Sequence, residues 1–334
     1  MKIVVDLTVL ELPATGIAKV IQGLYDALAA ADSGLEVLGI HRRRLLSAVP
    51  PDIHHRRVAR FLPPSVWRSR IFARTARRNT PAIIHFPWNG KVPQLPAKIP
   101  VATTLHDVLP LLIPGYFASE RDERNYRRNR QNDIDRTHLL MTDSEFSRQQ
   151  ILKHFRLHRE PIVITCATRI GTVPLPEKRD GAPFFLYVGG LDPRKSVDLL
   201  LRVYFRLRAD GGTRTPLVIT GSRRHAPPQL QLLLNEGIQK GWVEYLGYVN
   251  EPTLARLYTE AIALVYPSRY EGFGMPPLEA MSLGCPVIAC RSTSVPEVCG
   301  TWRATSARPS PRWRLRICLS PRRAMWHFFT RQRR

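Results

Sequence analysis

Short apolar runs alternate with amphipathic stretches along most of the chain. The first run, residues 2–7, is rich in β-branched residues and predicts a strand. After a turn that contains Pro13 and Gly16, the apolar positions between residues 17 and 28 follow helical spacing. A strand followed by an amphipathic helix is typical of the start of a doubly wound α/β domain.

The alternation resumes after residues 168–182, whose prolines and glycines predict a linker between domains. Further strands are predicted at 35–40, 82–86, 101–105, 139–142, 161–166, 184–188, 216–220, 243–246, 262–266 and 286–289. Helices are predicted at 120–133, 145–155, 196–208, 229–239 and 252–260. We therefore expect an α/β protein with two doubly wound Rossmann-like domains, at 1–170 and 183–298, before a tail at 299–334.

One segment of the second domain combines two carboxylates with a glycine-bearing loop. Residues 270–289 read YEGFGMPPLEAMSLGCPVIA and follow a predicted strand. Proline suits the first turn of a helix and glycine suits the residue after its end, so we predict a helix from about Pro277 to Gly284. Glu279 then lies in the first helical turn and Glu271 in the loop. Both carboxylates would face the crevice at the carboxyl end of a parallel sheet, where such sheets bind ligands.

The backbone of this loop is a second candidate binding element. Amides just before a helix lack helical partners and favour phosphate or hydroxyl oxygens. They belong to Gly272, Phe273, Gly274 and Met275. Because a carboxylate accepts paired hydrogen bonds, Glu279 suits a ribose diol and Glu271 suits a sugar ring. The alternative is that Glu279 only favours the helix dipole and Glu271 is a solvated loop charge.

The whole segment resembles the donor-site segment of retaining glycosyltransferases of family 4. The family pattern E-G-F-G-x-P-x-L-E-A-M-x-x-G-x-P-V is matched residue for residue from Glu271 to Val287. The resemblance implies a GT-B fold, in which two Rossmann-like domains face a cleft. It also implies transfer of a hexose from a nucleotide-diphosphate sugar to a hydroxyl with retained configuration. In the front-face mechanism expected of this family, the leaving phosphate helps to deprotonate the acceptor.

A second motif begins the second domain. YVGGLDPRKS follows a predicted strand and places Arg194 and Lys195 just before a helix N-terminus, which favours anions. It resembles the V-G-x-x-x-P-R-K-N segment of the same family, with Ser196 in place of asparagine. The resemblance implies that the two cations neutralise the donor diphosphate and that Gly189 lines the site. Taken alone, such charges are more often simply exposed to solvent.

Other strand ends supply further candidates. His106 follows the apolar run 101–105 within TLHDVLP, which resembles the H-D-x-x-P loop of family 4 mannosyltransferases. The resemblance implies that the imidazole contacts the donor sugar, whereas a structural role is the alternative for a histidine at this position. Gly16 and Gly221 resemble glycine turns of the family that approach the nucleotide sugar, although a second glycine is absent from both turns.

The resemblance also predicts the ligands. No aspartate-rich metal motif occurs, and Arg194 and Lys195 can stabilise a departing diphosphate without a metal or cofactor. The loop of His106 favours GDP-mannose as the donor. The expected acceptor is a saccharide or a lipid-linked saccharide in polysaccharide or glycan synthesis. The alternative is a nucleotide-sugar-binding protein without turnover, because family members continue after Glu297 with further helices.

Charge is concentrated at the carboxyl end. The formal net charge is +23, and ten arginines lie within 299–334, where there is no acidic residue. This abrupt change without apolar periodicity fits a frameshifted or artefactual end better than a basic docking tail. Once the tail is set aside, charge gives little support to a nucleic-acid partner, and we predict none.

A second basic region lies between His41 and Arg78, with Trp67, Ile71 and Phe72 among its arginines. A solvated basic face is the default interpretation. The alternative is docking to an anionic membrane, which a lipid-linked acceptor would require.

Several features favour a cytoplasmic location. No apolar run reaches the roughly 18 residues of a membrane span, and Asp6 interrupts the first apolar run. The five cysteines form no C-x-x-C pair, which is typical of proteins in a reducing compartment. We therefore predict a cytoplasmic protein, with peripheral attachment at the inner face of the membrane as the alternative.

Overall fold

The computed structural model describes residues 1–12, 16–31, 34–59, 61–89, 91–95, 99–164, 170 and 182–300, and the backbone of 316–319. The chain divides into two compact units, Met1–Ala167 and Thr168–Arg334. Most of the predicted linker at 168–182 and most of the tail at 299–334 lie outside the described residues. Each unit has its own parallel sheet.

The first unit contains a seven-stranded parallel sheet. Its strands are β1 Lys2–Asp6, β2 Glu36–His41, β3 Ile53–Arg57, β4 Ile83–Phe86, β5 Val101–Thr104, β6 Leu139–Thr142 and β7 Ile162–Val163. Their spatial order is β3-β2-β1-β4-β5-β6-β7, so the order reverses between β1 and β4. Open α/β sheets bind ligands at such a switch point, beyond the carboxyl ends of the strands.

Helices cover both faces of this sheet. They are α1 Gly16–Ala30, α2 Pro64–Val66, α3 Ala73–Arg78, α4 Glu120–Asp135 and α5 Glu145–His154, with a π-helical segment Trp67–Phe72 joining α2 to α3. Adjacent residues of β1 point to opposite faces. Val5 packs in a cluster with Ile21 of α1, whereas Val4 packs with Trp67 and Phe72. Both faces are therefore buried, as a doubly wound domain requires.

The second unit repeats this architecture with a six-stranded parallel sheet. Its strands are β8 Phe185–Val188, β9 Leu217–Thr220, β10 Val243–Gly247, β11 Ala263–Tyr266, β12 Val287–Cys290 and β13 Arg316–Leu319. The helices are α6 Val197–Ala209, α7 Pro228–Gln239, α8 Glu251–Glu260, α9 Met275–Ser282 and α10 Val295–Cys299. The order β10-β9-β8-β11-β12-β13 reverses between β8 and β11. The switch point of this sheet therefore lies between the strands that precede the two predicted site motifs.

The two faces of this second sheet also have separate cores. Tyr187 of β8 packs with Leu200 and Tyr204 of α6, whereas its neighbour Leu186 packs with Tyr258 of α8 on the other face. All five side chains are at most 1% exposed. A near-continuous apolar strand such as Phe185–Val188 is typical of a parallel sheet buried on both sides.

The predicted fold class is confirmed, and the differences are local. The strand β3, of sequence IHHRR, was not predicted because Ile53 is its only buried residue and no apolar alternation marks it. The prediction for the carboxyl end did not include β13, whose backbone pairs in parallel with β12. Within the described parts of the chain, no helix is both long enough and apolar enough to cross a lipid bilayer.

Candidate functional site

Three loops of the second unit meet beyond the carboxyl ends of β8, β11 and β12. The backbone N–H of Arg269 donates to the carbonyl oxygen of Arg194 at 2.9 Å, which joins the loop after β11 to the loop after β8. The Ser294 hydroxyl, after β12, lies 2.9 Å from the Glu271 carbonyl oxygen and 2.8 Å from that of Phe273. Since β8 and β11 flank the switch point, these loops lie where such sheets bind ligands.

Glu271 is the centre of this loop cluster. Its Oε1 atom lies 2.5 Å from Nζ of Lys195 and 2.6 Å from the hydroxyl of Tyr266. Its Oε2 atom lies 3.0 Å from Nη1 of Arg194. The structure thus brings three of the predicted catalytic residues into one buried ion cluster, since Glu271 and Lys195 are only 6% and 7% exposed.

Burial and charge act against each other in this cluster. Burial raises the pKa of Glu271, but Lys195 and Arg194 outweigh it and hold the pKa at about 2, against an ordinary 4.5. Burial also lowers the pKa of Lys195, and Glu271 compensates only in part, so the net pKa is lowered. For Arg194, burial lowers the pKa but Glu271 and Asp192 raise it more. Glu271 is therefore an anion throughout the physiological range of pH.

Arg194 retains capacity to bind an anion. Its Nη1 donates to the Tyr270 carbonyl oxygen at 2.7 Å and to Glu271, and its Nε lies 3.0 Å from Oδ1 of Asp192. Among the described residues, none accepts from its Nη2, and the side chain is 29% exposed. A guanidinium has five N–H donors in a planar fork, which suits phosphate oxygens. Lys195, with three donors, directs two at Tyr266 and Glu271, which leaves one for a ligand.

The predicted loop and helix are present, with a correction to the helix start. Helix α9 begins at Met275, two residues before the predicted Pro277, because both prolines fit the first turn, where N–H groups lack partners anyway. Glu279 is therefore the fifth helical residue and not part of the first turn. It is 2% exposed, and its Oε2 atom accepts from the hydroxyl of Tyr258 at 2.9 Å. Both glutamates are thus buried, so Glu271 is not the solvated loop charge of the alternative interpretation.

The loop before α9 depends on one glycine conformation. Gly274 has φ of +107°, which non-glycine residues rarely adopt, and it immediately precedes the helix. The preceding Phe273 has its carbonyl oxygen fixed by Ser294. Gly272 lies in the same loop, whereas Met275, predicted as a loop residue, is the first residue of α9. The N-terminus of α9 therefore follows a turn that only glycine forms readily.

The predicted glycines Gly189 and Gly221 lie in direct backbone contact. A Cβ atom on Gly221 would lie 2.0 Å from the carbonyl oxygen of Gly189, and Gly221 has φ of +131°. The N–H of Gly189 donates to the carbonyl oxygen of Thr220 at 3.0 Å. This contact brings the loops after β8 and β9 together. Glycine is therefore required at position 221 for packing, independently of any contact with a ligand.

His106 lies in the first unit, just beyond the carboxyl end of β5, as predicted. It is 2% exposed, and both of its ring nitrogens have partners. Nδ1 lies 2.7 Å from Oδ2 of Asp143, and Nε2 lies 3.0 Å from the carbonyl oxygen of Pro87. A carbonyl oxygen only accepts, so Nε2 carries a proton and the carboxylate favours a second proton on Nδ1. Burial lowers the pKa of His106, but Asp143 outweighs it and raises the pKa above its ordinary 6.5.

Asp143 is a component that sequence reasoning missed. It follows β6 directly, as His106 follows β5, and this shared position at the sheet edge is the signal that could have indicated it. Its Oδ1 atom is buried without a hydrogen-bond partner among the described residues. Nearby, the His85 ring lies between the hydroxyls of Tyr25 and Thr104, and burial lowers its pKa to about 3. The pair of His106 and Asp143 therefore lies beside a neutral imidazole.

The remaining predicted residue, Gly16, is the exposed first residue of α1. The preceding residues 13–15 lie outside the described part of the chain, so the glycine turn itself stays a prediction. No group of three or more histidine, cysteine or acidic side chains that could hold a metal ion occurs among the described residues.

Residues 175–306 match the family model of glycosyl transferases group 1. They include Gly189, Arg194, Lys195, Gly221, Glu271 and Glu279. A curated relative is the O-antigen chain mannosyltransferase B of Escherichia coli, 37% identical over 209 residues, which are 59% of this chain and 55% of the relative. The chain thus spans about half the length of that relative.

Two solved structures share the fold at low sequence identity. One is HepE of Anabaena in complex with UDP and glucose, with a TM-score of 0.65 and 14% sequence identity. The match covers 99% of this chain and 89% of the HepE chain. The other is WaaG, a glycosyltransferase involved in lipopolysaccharide biosynthesis, with a TM-score of 0.64 and 17% sequence identity. The match covers 90% of this chain and 85% of the WaaG chain. Together with the family match, these similarities confirm the GT-B fold class and the resemblance to glycosyltransferases. Residues 175–306 of this chain are therefore similar to glycosyl transferases group 1, within a chain that has the fold of known glycosyltransferases.

Proposed function

We propose that this protein transfers a hexose from a nucleotide-diphosphate sugar to a hydroxyl of a saccharide or lipid-linked saccharide, with retention of configuration. The observation that carries the proposal is the buried cluster of Arg194, Lys195 and Glu271 at the switch point of the second sheet, within the matched region. Its spare N–H donors suit the diphosphate of a donor. The residue pattern of family 4 supports the same reaction.

Mannose is the proposed hexose, and GDP-mannose the proposed donor. The relative with 37% identity is a mannosyltransferase of O-antigen chains, which supports mannose and a role in polysaccharide synthesis. The loop of His106, which resembles that of family 4 mannosyltransferases, supports the same choice. We propose that Glu279 and the loop from Gly272 to Met275 bind the nucleoside side of this donor.

The proposed mechanism depends on charge that develops on the leaving group. As the glycosidic bond breaks, the diphosphate gains negative charge, which Nη2 of Arg194 and the third proton of Lys195 would stabilise. Both oxygens of Glu271 are already bound to cations or to Tyr266, so this carboxylate is better suited to orient the cations than to attack an anomeric carbon. A front-face reaction, in which the leaving phosphate takes the acceptor proton, is consistent with this arrangement.

Thermal unfolding with a panel of nucleotide sugars tests the proposal, because a ligand that binds the folded state raises the unfolding temperature. GDP-mannose should give the largest shift. Lys195→Ala should weaken binding of the nucleoside diphosphate by roughly 1.5–3 kcal/mol, the scale of a charged hydrogen bond. Lys240→Ala is the matched control, since Lys240 pairs with Glu236 at the surface of the same unit.

Two further results complete this test. Glu279→Gln should lose discrimination between ribose and deoxyribose nucleotides while keeping diphosphate affinity. Unchanged nucleotide affinity in both Lys195→Ala and Glu279→Gln, with both variants folded, would contradict the assignment of this site. Binding of GDP-mannose without transfer to any saccharide would instead favour a binding protein. Peripheral contact with an anionic membrane and a cytoplasmic location complete the proposal.

A further inference from the structure

The stretch from residue 42 to residue 78 has an extreme charge composition. It contains eleven arginines and no lysine, and Asp52 is its only acidic residue. The rest of the first unit carries acids and bases in similar numbers, as α4 shows with alternating arginines and acids. A local excess of this size, within one folded region, indicates a surface for an anionic partner.

The helical run Pro64–Val66, Trp67–Phe72 and Ala73–Arg78 presents one side to the protein and the other to solvent. Trp67 and Phe72 are completely buried against the sheet. The exposed side carries Arg70, Arg74 and Arg78, four residues apart, together with Arg77. Like charges at this spacing repel each other. An anion that lies against this row of charges would relieve their repulsion.

The edge strand and the end of β2 extend the same charge. Residues 54–57 of β3, at the edge of the sheet, are all exposed and include Arg56 and Arg57. Two hydrogen bonds connect these strands to the helical run. The N–H of Val58 donates to the carbonyl oxygen of His41 at 2.9 Å. The Nε1 atom of Trp67 donates to the carbonyl oxygen of Val58 at 2.7 Å. We define the arginine surface as Arg43, Arg44, Arg56, Arg57, Arg70, Arg74, Arg77 and Arg78.

The arginine surface lacks internal counter-charges. Two other arginines of the stretch face inward, Arg42 towards Glu11 and Arg68 towards Asp6. Among the residues with described side chains, none forms an ion pair with the eight arginines of the surface. By contrast, Arg124 and Arg127 of α4 each pair with a glutamate four residues earlier. The arginine surface therefore has a high density of charges available for an external anion.

Two exposed apolar side chains of the same stretch of sequence favour a membrane over a nucleic acid. Phe61, between β3 and the helical run, is 84% exposed, and Leu46, after β2, is 58% exposed. Basic residues around exposed aromatic and aliphatic side chains are typical of proteins that bind the interface of an anionic leaflet. A nucleic-acid backbone would use the arginines but would leave these apolar groups in water.

We propose that the arginine surface docks this protein on an anionic lipid bilayer, with arginines on the lipid phosphates and Phe61 inserted between the headgroups. This surface would make the membrane contact that is part of the proposed function. Only the purpose of docking, which is access to a lipid-linked acceptor, rests on that function. The surface itself is defined by the first unit alone and does not depend on donor binding.

Vesicle sedimentation of the full chain tests this inference. The vesicles contain phosphatidylcholine alone or mixed with phosphatidylglycerol. The variant R70Q/R74Q/R78Q removes three charges from the arginine surface, and R121Q/R124Q/R128Q removes three from the exposed side of α4. At about 1 kcal/mol per arginine, the first should bind anionic vesicles about 100-fold more weakly, and the second should bind nearly as the unaltered chain does. The variant Phe61→Ser should bind anionic vesicles about tenfold more weakly than the unaltered chain does.

Each outcome is decisive. Equal losses in the two triple variants would overturn the inference, because they would show attraction that depends on net charge alone. Binding to pure phosphatidylcholine as strong as to anionic vesicles would overturn it too, as would tighter binding to duplex DNA that R70Q/R74Q/R78Q abolishes. Thermal shifts by nucleotide sugars, measured on the same variants, report the donor site separately, so failure of membrane docking is distinguishable from failure of the proposed transferase function.

Discussion

The Nζ atom of Lys195 lies 2.5 Å from Oε1 of Glu271, and both groups are buried at the switch point of the second sheet. Removing one partner of such a pair leaves the other as an uncompensated buried charge, which costs about 3–5 kcal/mol. Activity losses after substitution at either position must therefore be separated from losses of folding. This relationship determines how the site can be tested.

The first prediction concerns acid stability. The pKa of Glu271 is lowered from 4.5 to about 2 in the folded protein, so the carboxylate contributes stability that is present above pH 4.5 and lost as pH falls through 2. The difference corresponds to about 3 kcal/mol. Urea unfolding between pH 5 and pH 2 should therefore show a steep loss of stability that Glu271→Gln reduces.

Glu236→Gln is the control for this prediction. Glu236 forms an exposed pair with Lys240 one helical turn later, and such pairs contribute less than about 1 kcal/mol. Its acid profile should match that of the unaltered chain. An acid profile of Glu271→Gln with an undiminished slope would contradict the assigned pKa and its cause.

The second prediction concerns the protonation of His106. Asp143, Asp107 and the neutral His85 are the titratable groups around it, and Asp143 accounts for the raised pKa. A raised pKa contributes stability that is present below pH 6.5 and lost as pH rises through the folded pKa. Asp143→Asn removes that charge while burial remains. The His106 resonances in an NMR titration should then report a pKa below 6.5.

Asp135→Asn is a suitable comparison for that titration, because Asp135 is an exposed residue at the end of α4 in the same unit. It should leave the His106 titration unchanged. If Asp143→Asn does not lower the pKa of His106, the imidazolium interpretation of the two hydrogen bonds is wrong.

The third prediction tests the contact between Gly189 and Gly221. Gly221→Ala places a methyl group 2.0 Å from a carbonyl oxygen at a strained φ, so we expect a loss of about 3 kcal/mol in the free energy of unfolding. Gly241→Ala, also at positive φ but with no atom within 4 Å of its Cβ, should cost about 1 kcal/mol. Denaturant melts measure both, and equal losses would mean that backbone strain alone matters.

The fourth prediction uses two serines of the same loop cluster. Ser196 adopts φ of 53°, and its buried hydroxyl has no partner among the described residues. Ser196→Gly should raise the free energy of unfolding by about 1 kcal/mol, because it relieves a left-handed conformation and removes an unsatisfied group. Ser294→Gly should lower it, since the Ser294 hydroxyl bonds two carbonyl oxygens. Stabilisation by both changes would contradict the opposite roles assigned to the two hydroxyls.

Features that depend on local sequence pattern could be predicted from the sequence. Contacts between residues that are distant in the chain could not. Apolar runs marked the strands that are buried on both sides, and the E-G-F-G motif located Glu271 and the start of α9 to within two residues. It did not reveal that Glu271 binds Lys195 and Arg194, because residues about 76 positions apart meet only through the order of strands. Asp143 was missed for the same reason, since its partner His106 follows a different strand.

The basic strand at the edge of the first sheet was not predicted because its backbone, more than its side chains, holds it in place. Strand β3 pairs with β2 through the backbone, while its side chains beyond Ile53 remain exposed. Patterns of hydrophobicity report side-chain burial and not backbone pairing. The family's asparagine at position 196 also became understandable only from the backbone, because asparagine tolerates the left-handed conformation that Ser196 adopts there.

Three tyrosines of the second unit connect its core to the candidate site. The hydroxyls of Tyr187, Tyr258 and Tyr266 donate to the Gly190 carbonyl oxygen, to Glu279 and to Glu271. Burial raises the pKa of all three phenols well above 10. In an alkaline titration they should therefore stay protonated after exposed tyrosines have ionised. Burial also raises the pKa of Tyr25 and Tyr126 in the first unit, so only the late tyrosinate absorbance that Tyr258→Phe and Tyr266→Phe remove would be an intrinsic optical signal for the opening of this site.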